Sequence, residues 1–429
     1  VDFHEALRYL DGHVNNEATA GRVHGLSLAR MQQLVGRMGD PQHAYPVIHI
    51  TGTNGKGSTA HMTTALLRSL GLKVGTYTSP HLESITERVA VDGQPVSPET
   101  FGRIIADVAT FETMSSEPSS YFELVTAAAL AHFAEVAVDV AVVEVGLLGR
   151  FDATNVCDAQ VAVITNIRRD HTDGLPGWRE RIAEEKAGII KPGSTLVLGE
   201  TSTELRPIFL REPAERVVER GSHFWCETNK LAVGGRLLDL QGVHGRYEDV
   251  FVSLNGEHQG DNTSLAVAAV ECFLDRAVPA EVVTEALGSV RVPGRFEIVR
   301  RNPLVVLDAA HNPDGAMSLS RTLGEGFEHG GRRHLVLGML RDRDPIAMLE
   351  ALEADRAAAV VVCTAPSPRA VPAAELAAAA RSMGVLAEPV DDPADAVERA
   401  LSLADEADTV VVTGSFTVLG AARSVLDDH

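Results

Sequence analysis

Residues Ile50 to Ser58 read Ile-Thr-Gly-Thr-Asn-Gly-Lys-Gly-Ser, set between the apolar run Val47-Ile48 and a segment in which Met62, Leu66 and Leu70 recur at helical spacing. A strand, a glycine-rich turn and a helix in that order form a cradle for phosphate. Glycines at 52, 55 and 57 let backbone N–H groups face an anion, Lys56 adds a point charge, and the helix aims its positive end at the same place. Thr53, Asn54, Gly55, Lys56, Gly57 and Ser58 are therefore expected to hold the phosphates of a nucleoside triphosphate. The usual phosphate loop reads Gly, four residues, Gly-Lys-Ser/Thr; here Ile stands at 50 and Gly57 separates Lys56 from Ser58. That departure leaves open which class of nucleotide enzyme this is.

The chain has 429 residues, 45% hydrophobic and 23% charged, which describes a well-cored protein of more than one domain. Its formal charge of −21 argues against a nucleic-acid scaffold or an anionic-membrane binder, so an anionic ligand needs local cations. Cys157, Cys226, Cys272 and Cys363 are widely spaced and form no CxxC pair, which suggests neither zinc nor disulfides and fits a reducing cytoplasm. No run approaches the roughly 18 apolar residues of a membrane span. The opening Val-Asp-Phe-His-Glu lacks signal-peptide character and also lacks Met, so native residues before Val1 are expected to be missing.

Short β-branched runs at Val47 to Ile50, Val74 to Tyr77, Val138 to Val143, Val161 to Thr165 and Thr195 to Leu198 alternate with helical patterns, the rhythm of a parallel sheet covered on both faces. From Leu231 to Leu254 a Gly-punctuated alternation predicts a small antiparallel sheet, followed by a helix from Asn262 to Asp275. A second α/β alternation follows Pro293-Gly294, with strands at Leu304 to Leu307, Leu335 to Leu337, Ala359 to Val362 and Thr409 to Thr413. The expected domains are 1–292 and 297–429, joined by a hinge at 293–296. Ala370 to Ala380 reads as a helix and Met114 to Ser120 as a mobile loop.

In open parallel sheets ligands gather at the carboxyl ends of strands. Ser79, Glu144 and His171 follow such ends and together would offer a hydroxyl, a carboxylate and an imidazole near a phosphate tail, a setting for Mg²⁺. Each has a plainer alternative: Ser79 before Pro80 can simply begin a turn, and His171 beside Asp170 can be a surface pair. Glu144 inside Val-Val-Glu-Val-Gly is harder to dismiss, because an unpaired buried carboxylate is costly. Lys186 is either part of a solvated Glu/Lys helix face or a buried lysine whose lowered pKa frees its amine.

Several blocks in order resemble the folylpolyglutamate synthase/dihydrofolate synthase family within the Mur ligase superfamily. They include Thr-Gly-Thr-Asn-Gly-Lys-Gly-Ser (51 to 58), Thr-Ser-Pro-His-Leu (78 to 82), Ile-Thr-Glu-Arg-Val (85 to 89) and Glu-Val-Gly-Leu-Leu-Gly-Arg-Phe-Asp-Ala-Thr-Asn (144 to 155). Glu-Lys-Ala-Gly-Ile-Ile-Lys-Pro-Gly (185 to 193), Gly-Glu-His-Gln-Gly-Asp-Asn (256 to 262), Pro-Gly-Arg-Phe-Glu (293 to 297), Asp-Ala-Ala-His-Asn-Pro (308 to 313) and Thr-Gly-Ser-Phe (413 to 416) complete the set. The resemblance implies an N-terminal P-loop ATPase domain with a parallel sheet plus a small antiparallel sheet, and a smaller Rossmann-like C-terminal α/β domain. It implies Ser79, Glu144 and His171 on a pair of Mg²⁺ ions, with Asn262, Arg295, Asp308 and His311 completing the ATP site. In this reading Asp308 faces the ribose, Asn262 the base, and Lys186 is carbamylated; Lys56, Lys186, His171 and Arg295 form the catalytic set. Arg88, Phe122, Glu123, Asp152 and Ala153 would face the folate. Leu148, Arg168-Arg169, Ala309 and Arg343 depart from the family pattern without removing a proposed ligand.

The implied reaction is ATP-dependent ligation of L-glutamate to folates through an acyl phosphate, with dihydropteroate as a second acceptor. The expected partners are small molecules, namely ATP, L-glutamate and a reduced folate or dihydropteroate, with neither nucleic acid nor membrane, and a monomeric cytoplasmic chain. A peptidoglycan-precursor ligase and a non-catalytic nucleotide switch are the competing readings.

Overall fold

Burial decides which apolar runs become central strands. In the computed structural model, which describes residues 2–15, 27–114, 117–169, 176–327 and 331–426, every residue of Val47–Thr51 (β1) is buried. Around it stand Val74–Tyr77 (β2), Val89–Val91 (β3), Gln94–Pro95 (β4), Val140–Glu144 (β5), Val161–Ile164 (β6), Thr195–Leu198 (β7) and Arg216–Glu219 (β8). Their order is β4-β3-β2-β5-β1-β6-β7-β8. Strands β2 to β8 along this order pair in parallel, whereas β3 and β4 turn back antiparallel at the edge. The expected parallel sheet is therefore mixed. The cause is local: Asp92 and Gly93, at φ 51° and 72°, link paired Val91 and Gln94, and positive φ at both central residues closes a hairpin rather than a crossover.

Alternate residues of β5 enter opposite cores. Val140 and Val142 pack with Met62, Leu66 and Leu265 from the helices Lys56–Ser69 and His258–Leu274; Ala141 and Val143 pack with Phe101, Ile104 and Leu124 from Pro98–Glu112 and Tyr121–Glu135. A helix at Trp178–Ala187 covers β6 and β7 through Ile182 and Ala183. Strands Trp225–Ala232 (β9), Gly235–Gln241 (β10) and Arg246–Val252 (β11) form the small antiparallel sheet, seated on the helix His258–Leu274 by Leu238, Leu240 and Val250. It starts earlier than Leu231, because β9 exposes polar residues and carries no apolar alternation.

The second sheet contains Glu297–Arg301 (β12), Leu304–Asp308 (β13), Arg333–Leu337 (β14), Ala359–Val362 (β15), Ala387–Pro389 (β16) and Thr409–Thr413 (β17), in the order β12-β13-β17-β14-β15-β16. Only β12 runs antiparallel. Strands β8, β12 and β16 escape the sequence reading because they lie on edges with few buried positions and lack an apolar run. The predicted Ala-rich helix spans Ala373–Ser382. Of the loop expected at Met114 to Ser120, residues 115 and 116 lie outside the described residues, and its far end is anchored: Ser119 N–H donates to Glu112 and Ser120 caps the next helix. All four cysteines are free, and among the described residues no helix is long and apolar enough to cross a membrane.

Candidate active site

Strand β1 delivers the chain to Gly52, at φ 149°, where a Cβ would lie 1.8 Å from Thr165 Oγ1. At Gly55, φ 84°, a Cβ would lie 2.3 Å from Asn262 Oδ1. Glycine is needed at both points, for conformation and for space. The segment after β6 braces the loop between them. Thr53 N–H donates to Asn166 O at 2.9 Å, Asn54 N–H donates to Asn166 Oδ1 at 3.1 Å, and Thr165 Oγ1 donates to Asn54 O at 2.6 Å. The helix Lys56–Ser69 begins at once without a side-chain cap, so its first N–H groups are left for an anion. Lys56 Nζ donates to Thr53 O at 3.2 Å, and desolvation lowers its pKa against the pull of Glu144.

Ser79 and Glu144, from the ends of β2 and β5, meet directly: Ser79 N–H donates to Glu144 Oε2 at 3.3 Å. Glu144 is buried, and burial raises its pKa while Lys56 opposes the shift. A Cβ on Gly57 would come 3.7 Å from the same oxygen, which places the carboxylate against the first turn of the helix. A hydroxyl and a carboxylate beside a phosphate loop are hard oxygen donors and fit Mg²⁺ or Mn²⁺. Among the described residues no three His, Cys, Asp or Glu side chains gather into a group that could hold a metal ion. Asp170 and His171 lie outside the described residues.

Lys186 is only 5% exposed although Arg181 and Glu184 of the same helix face solvent. Its Nζ donates to Gly52 O at 2.8 Å, under the phosphate loop. Burial pushes its pKa well below the usual ammonium range, and Lys56 pushes the same way. The solvated helix face is thus excluded.

The second domain closes the other side. Arg295 lies 4.9 Å over the Phe416 ring. The Asp308 carboxylate accepts N–H bonds from Phe296 at 2.8 Å and Ala310 at 2.9 Å; burial raises its pKa, opposed by Arg295. His311 Nδ1 lies 2.9 Å from Ala309 O. Sequence reasoning missed Asn312. Its Nδ2 donates to Asn54 Oδ1 at 2.9 Å and Asn54 Nδ2 donates back to its Oδ1 at 3.4 Å, so an amide pair joins the phosphate loop to the second domain. The available signal was an Asn before Pro313, a helix start that also accepts Gly315 N–H.

Of the expected folate residues, Phe122 and Asp152 converge on the turn after β5. A Cβ on Gly146 would lie 2.4 Å from Phe122 Cζ, and Asp152 Oδ2 accepts Leu147 N–H at 2.8 Å. Ala153 is buried at the start of a short helix capped by Asp152. Arg88, 3% exposed, donates through Nε to His81 Nδ1 at 3.0 Å and lies 5.9 Å from the Tyr121 ring centre. Glu123 has a structural task, since Oε2 accepts Ser120 N–H at 2.7 Å and Oε1 lies 3.5 Å from Arg30 Nε. Leu148, a departure from the family pattern, sits at φ 61°, a left-handed conformation that glycine adopts most readily.

Residues 50–270 match the Mur ligase middle domain and residues 294–416 the Mur ligase glutamate ligase domain. Those two domains in series around a phosphate loop define a ligase of the Mur class. A dihydrofolate synthase/folylpolyglutamate synthase of Mycobacterium tuberculosis is 40% identical over 93% of this chain and 90% of that protein. The structure of Mycobacterium tuberculosis folylpolyglutamate synthase complexed with ADP is similar at a TM-score of 0.92 and 37% identity, covering 99% of this chain and 98% of that one. A bifunctional folylpolyglutamate synthase/dihydrofolate synthase from Yersinia pestis, complexed with AMPPNP and a manganese ion, gives 0.86 and 31%, covering 100% and 98%. The chain belongs to the folylpolyglutamate synthase/dihydrofolate synthase family. Neither the peptidoglycan-precursor reading nor the switch is favoured by these likenesses.

Proposed function

We propose that the chain uses ATP to activate a folate carboxylate as an acyl phosphate and joins it to the amine of L-glutamate, and that dihydropteroate is glutamylated in the same way to dihydrofolate. One observation carries the reading: a phosphate loop backed by Glu144 and the buried Lys186 is met by the second domain at the Asn54–Asn312 pair, beside Arg295 and Asp308. A carboxylate oxygen is a poor leaving group, so the acid must first take the γ-phosphoryl group. Lys56 and Arg295 stabilise charge on that group during transfer, while the loop N–H groups and Ser58 hold the remaining phosphates. Asp308 takes the ribose hydroxyls, with Asn262 on the base and His311 at the edge of the site. Glutamate's amine then displaces phosphate, and docking of the second domain excludes the water that would hydrolyse the intermediate.

Ser79, Glu144 and His171 would hold two Mg²⁺ ions, which when bound neutralise phosphate charge. Burial lowers the Lys186 pKa and so favours the free amine that would attack CO₂: an N–C bond would form as a C=O electron pair moves to oxygen, a proton would leave the nitrogen to water, and the resulting carbamate would offer the metals a carboxylate. Arg88, Phe122, Asp152 and Ala153 form the folate pocket, with Glu123 behind it. The domains divide at 293–296, into 1–292 and 297–429, and the chain acts as a cytoplasmic monomer.

Purified protein with ATP, Mg²⁺ and L-glutamate, offered dihydropteroate or a reduced folate in separate reactions, is expected to yield products heavier by added glutamates on mass spectrometry. ADP release that needs neither glutamate nor folate would point to the switch instead. Lys56→Ala is expected to abolish glutamate-dependent ADP release, and survival of that activity would remove the phosphate loop from the mechanism. An unmodified Lys186 amine in active enzyme, read by intact mass and crystallography, would rule out the carbamate.

A further inference from the structure

His49 is a histidine inside a fully buried strand, three residues before the phosphate loop, and has no exposed surface. Its Nε2 lies 2.8 Å from Thr154 Oγ1, while its Nδ1 has no hydrogen-bond partner. Thr154, equally buried, places the same hydroxyl 2.5 Å from Asp152 Oδ1. That oxygen also accepts Thr154 N–H at 3.0 Å, and Oδ2 accepts Leu147 N–H at 2.8 Å. Burial raises the Asp152 pKa against these hydrogen bonds, but with an N–H donated to each oxygen both act as acceptors, and the Thr154 hydroxyl is the donor to Oδ1. That hydroxyl must therefore receive its own hydrogen bond from His49 Nε2–H.

Burial pushes the His49 pKa down to about 3, with Lys191 adding to the effect, so the ring is neutral. The opposite tautomer would set a lone pair against the Thr154 hydroxyl, draw that hydroxyl away from Asp152 and bury an unpaired N–H at Nδ1. The arrangement runs in one direction, from imidazole to hydroxyl to carboxylate.

We propose that His49 and Thr154 are positioning residues for the folate pocket: they orient Asp152, whose carboxylate clamps the Gly146–Leu147 turn against Phe122. The proposal rests on the folate reading of that pocket. Neither residue touches substrate. Their effect is to brace a wall of the acceptor site from within the same face of the sheet, where Val143 beside His49 packs with Phe122 and Ala153, independently of the phosphate loop that follows the same strand.

Steady-state kinetics of the full chain separate this from a general structural role. Thr154→Val and His49→Leu are each expected to raise KM for a reduced folate about tenfold or more, while KM for ATP stays within about twofold of the parent. Thr154→Ser, which keeps the hydroxyl, and His49→Gln, which keeps a donor near the Nε2 position, are expected to restore most of the folate affinity. If Thr154→Val is not recovered folded, the His49 pair carries the same contrast. An unchanged folate KM in His49→Leu, or folate and ATP KM rising together, overturns the proposal. Asp152→Asn tests the underlying reading: if it leaves folate KM unchanged, the pocket assignment fails and the positioning claim falls with it. A rise in Asp152→Asn alone leaves the pocket standing and rejects the role of His49 and Thr154.

Discussion

Lys186 combines a charge-bearing group with near-complete burial, and the pH dependence of stability follows from that conflict. A lysine whose folded pKa lies below its unfolded value, near 10.5, takes up a proton on unfolding at any pH between the two. Its burial therefore costs nothing above 10.5, costs more as pH falls toward the folded pKa, and costs fully below it. In CO₂-free buffer Lys186→Met is expected to unfold at higher urea than the parent at neutral pH. The gap should close as pH approaches 10.5, and ligase activity should be lost. A gap that does not depend on pH would show that the amine carries no such cost. Leu148 is a second residue at odds with its surroundings: it holds φ 61° while its carbonyl accepts Thr51 Oγ1 at 2.7 Å. Leu148→Gly is expected to be neutral or stabilising by up to about 1 kcal/mol, whereas the β-branched Leu148→Ile loses about 1–2 kcal/mol in chemical unfolding. The sequence marked Leu148 only as a departure from the family pattern, and its left-handed backbone was not legible there; nor was the burial of Lys186, since Glu184, Glu185 and Lys186 in a row read equally well as a wet face.

At the scale of elements, legibility follows burial. Strands β2, β7, β15 and β17 have the limits expected from their apolar runs, while the edge strands β8, β12 and β16 have few inward side chains to mark them. The β3–β4 hairpin was written in Asp92-Gly93 and overlooked beside the stronger parallel rhythm. Asn312 joins two elements, because one side chain caps the helix Pro313–Gly326 and also pairs with the phosphate loop. Those tasks separate by substitution. Asn312→Asp keeps an acceptor for Gly315 N–H but sets a carboxylate oxygen against Asn54 Oδ1, so ATP affinity is expected to fall several-fold with stability retained. Asn312→Ala loses both, with about 1 kcal/mol of stability gone as well. Isothermal titration with ATP beside thermal unfolding distinguishes the two; equal ATP affinity in both variants and the parent would remove the amide pair from nucleotide binding.

Across the whole molecule, the loop after β2 reaches over to the second domain. Leu82 packs with Val412, Val418 and Leu419 in that domain's core, and its carbonyl sits where a Cβ on Gly420 would come within 2.3 Å. Val418, Leu419 and Gly420 lie on the helix Phe416–Leu426, and Arg423 of that helix donates to Glu83 at 2.9 Å and also pairs with Glu297. The loop that carries Ser79 is thereby tied to domain docking. Gly420→Ala is expected to push the helix off Leu82, enlarge the radius of gyration seen by X-ray scattering with ATP bound, and lower kcat/KM for the folate about tenfold. A compact, fully active variant would mean that this contact does not govern docking. The chain's own order of residues determined the strand, glycine turn and helix at 47–69 and the two α/β rhythms, because each depends on spacing between near neighbours. Tertiary structure alone decided that Lys186 is desolvated, that Leu82 belongs to the other domain's core, and that Asn54 meets Asn312 across 258 positions. Desolvation and pairing are properties of what surrounds a side chain, and those surroundings come from segments that no local pattern specifies.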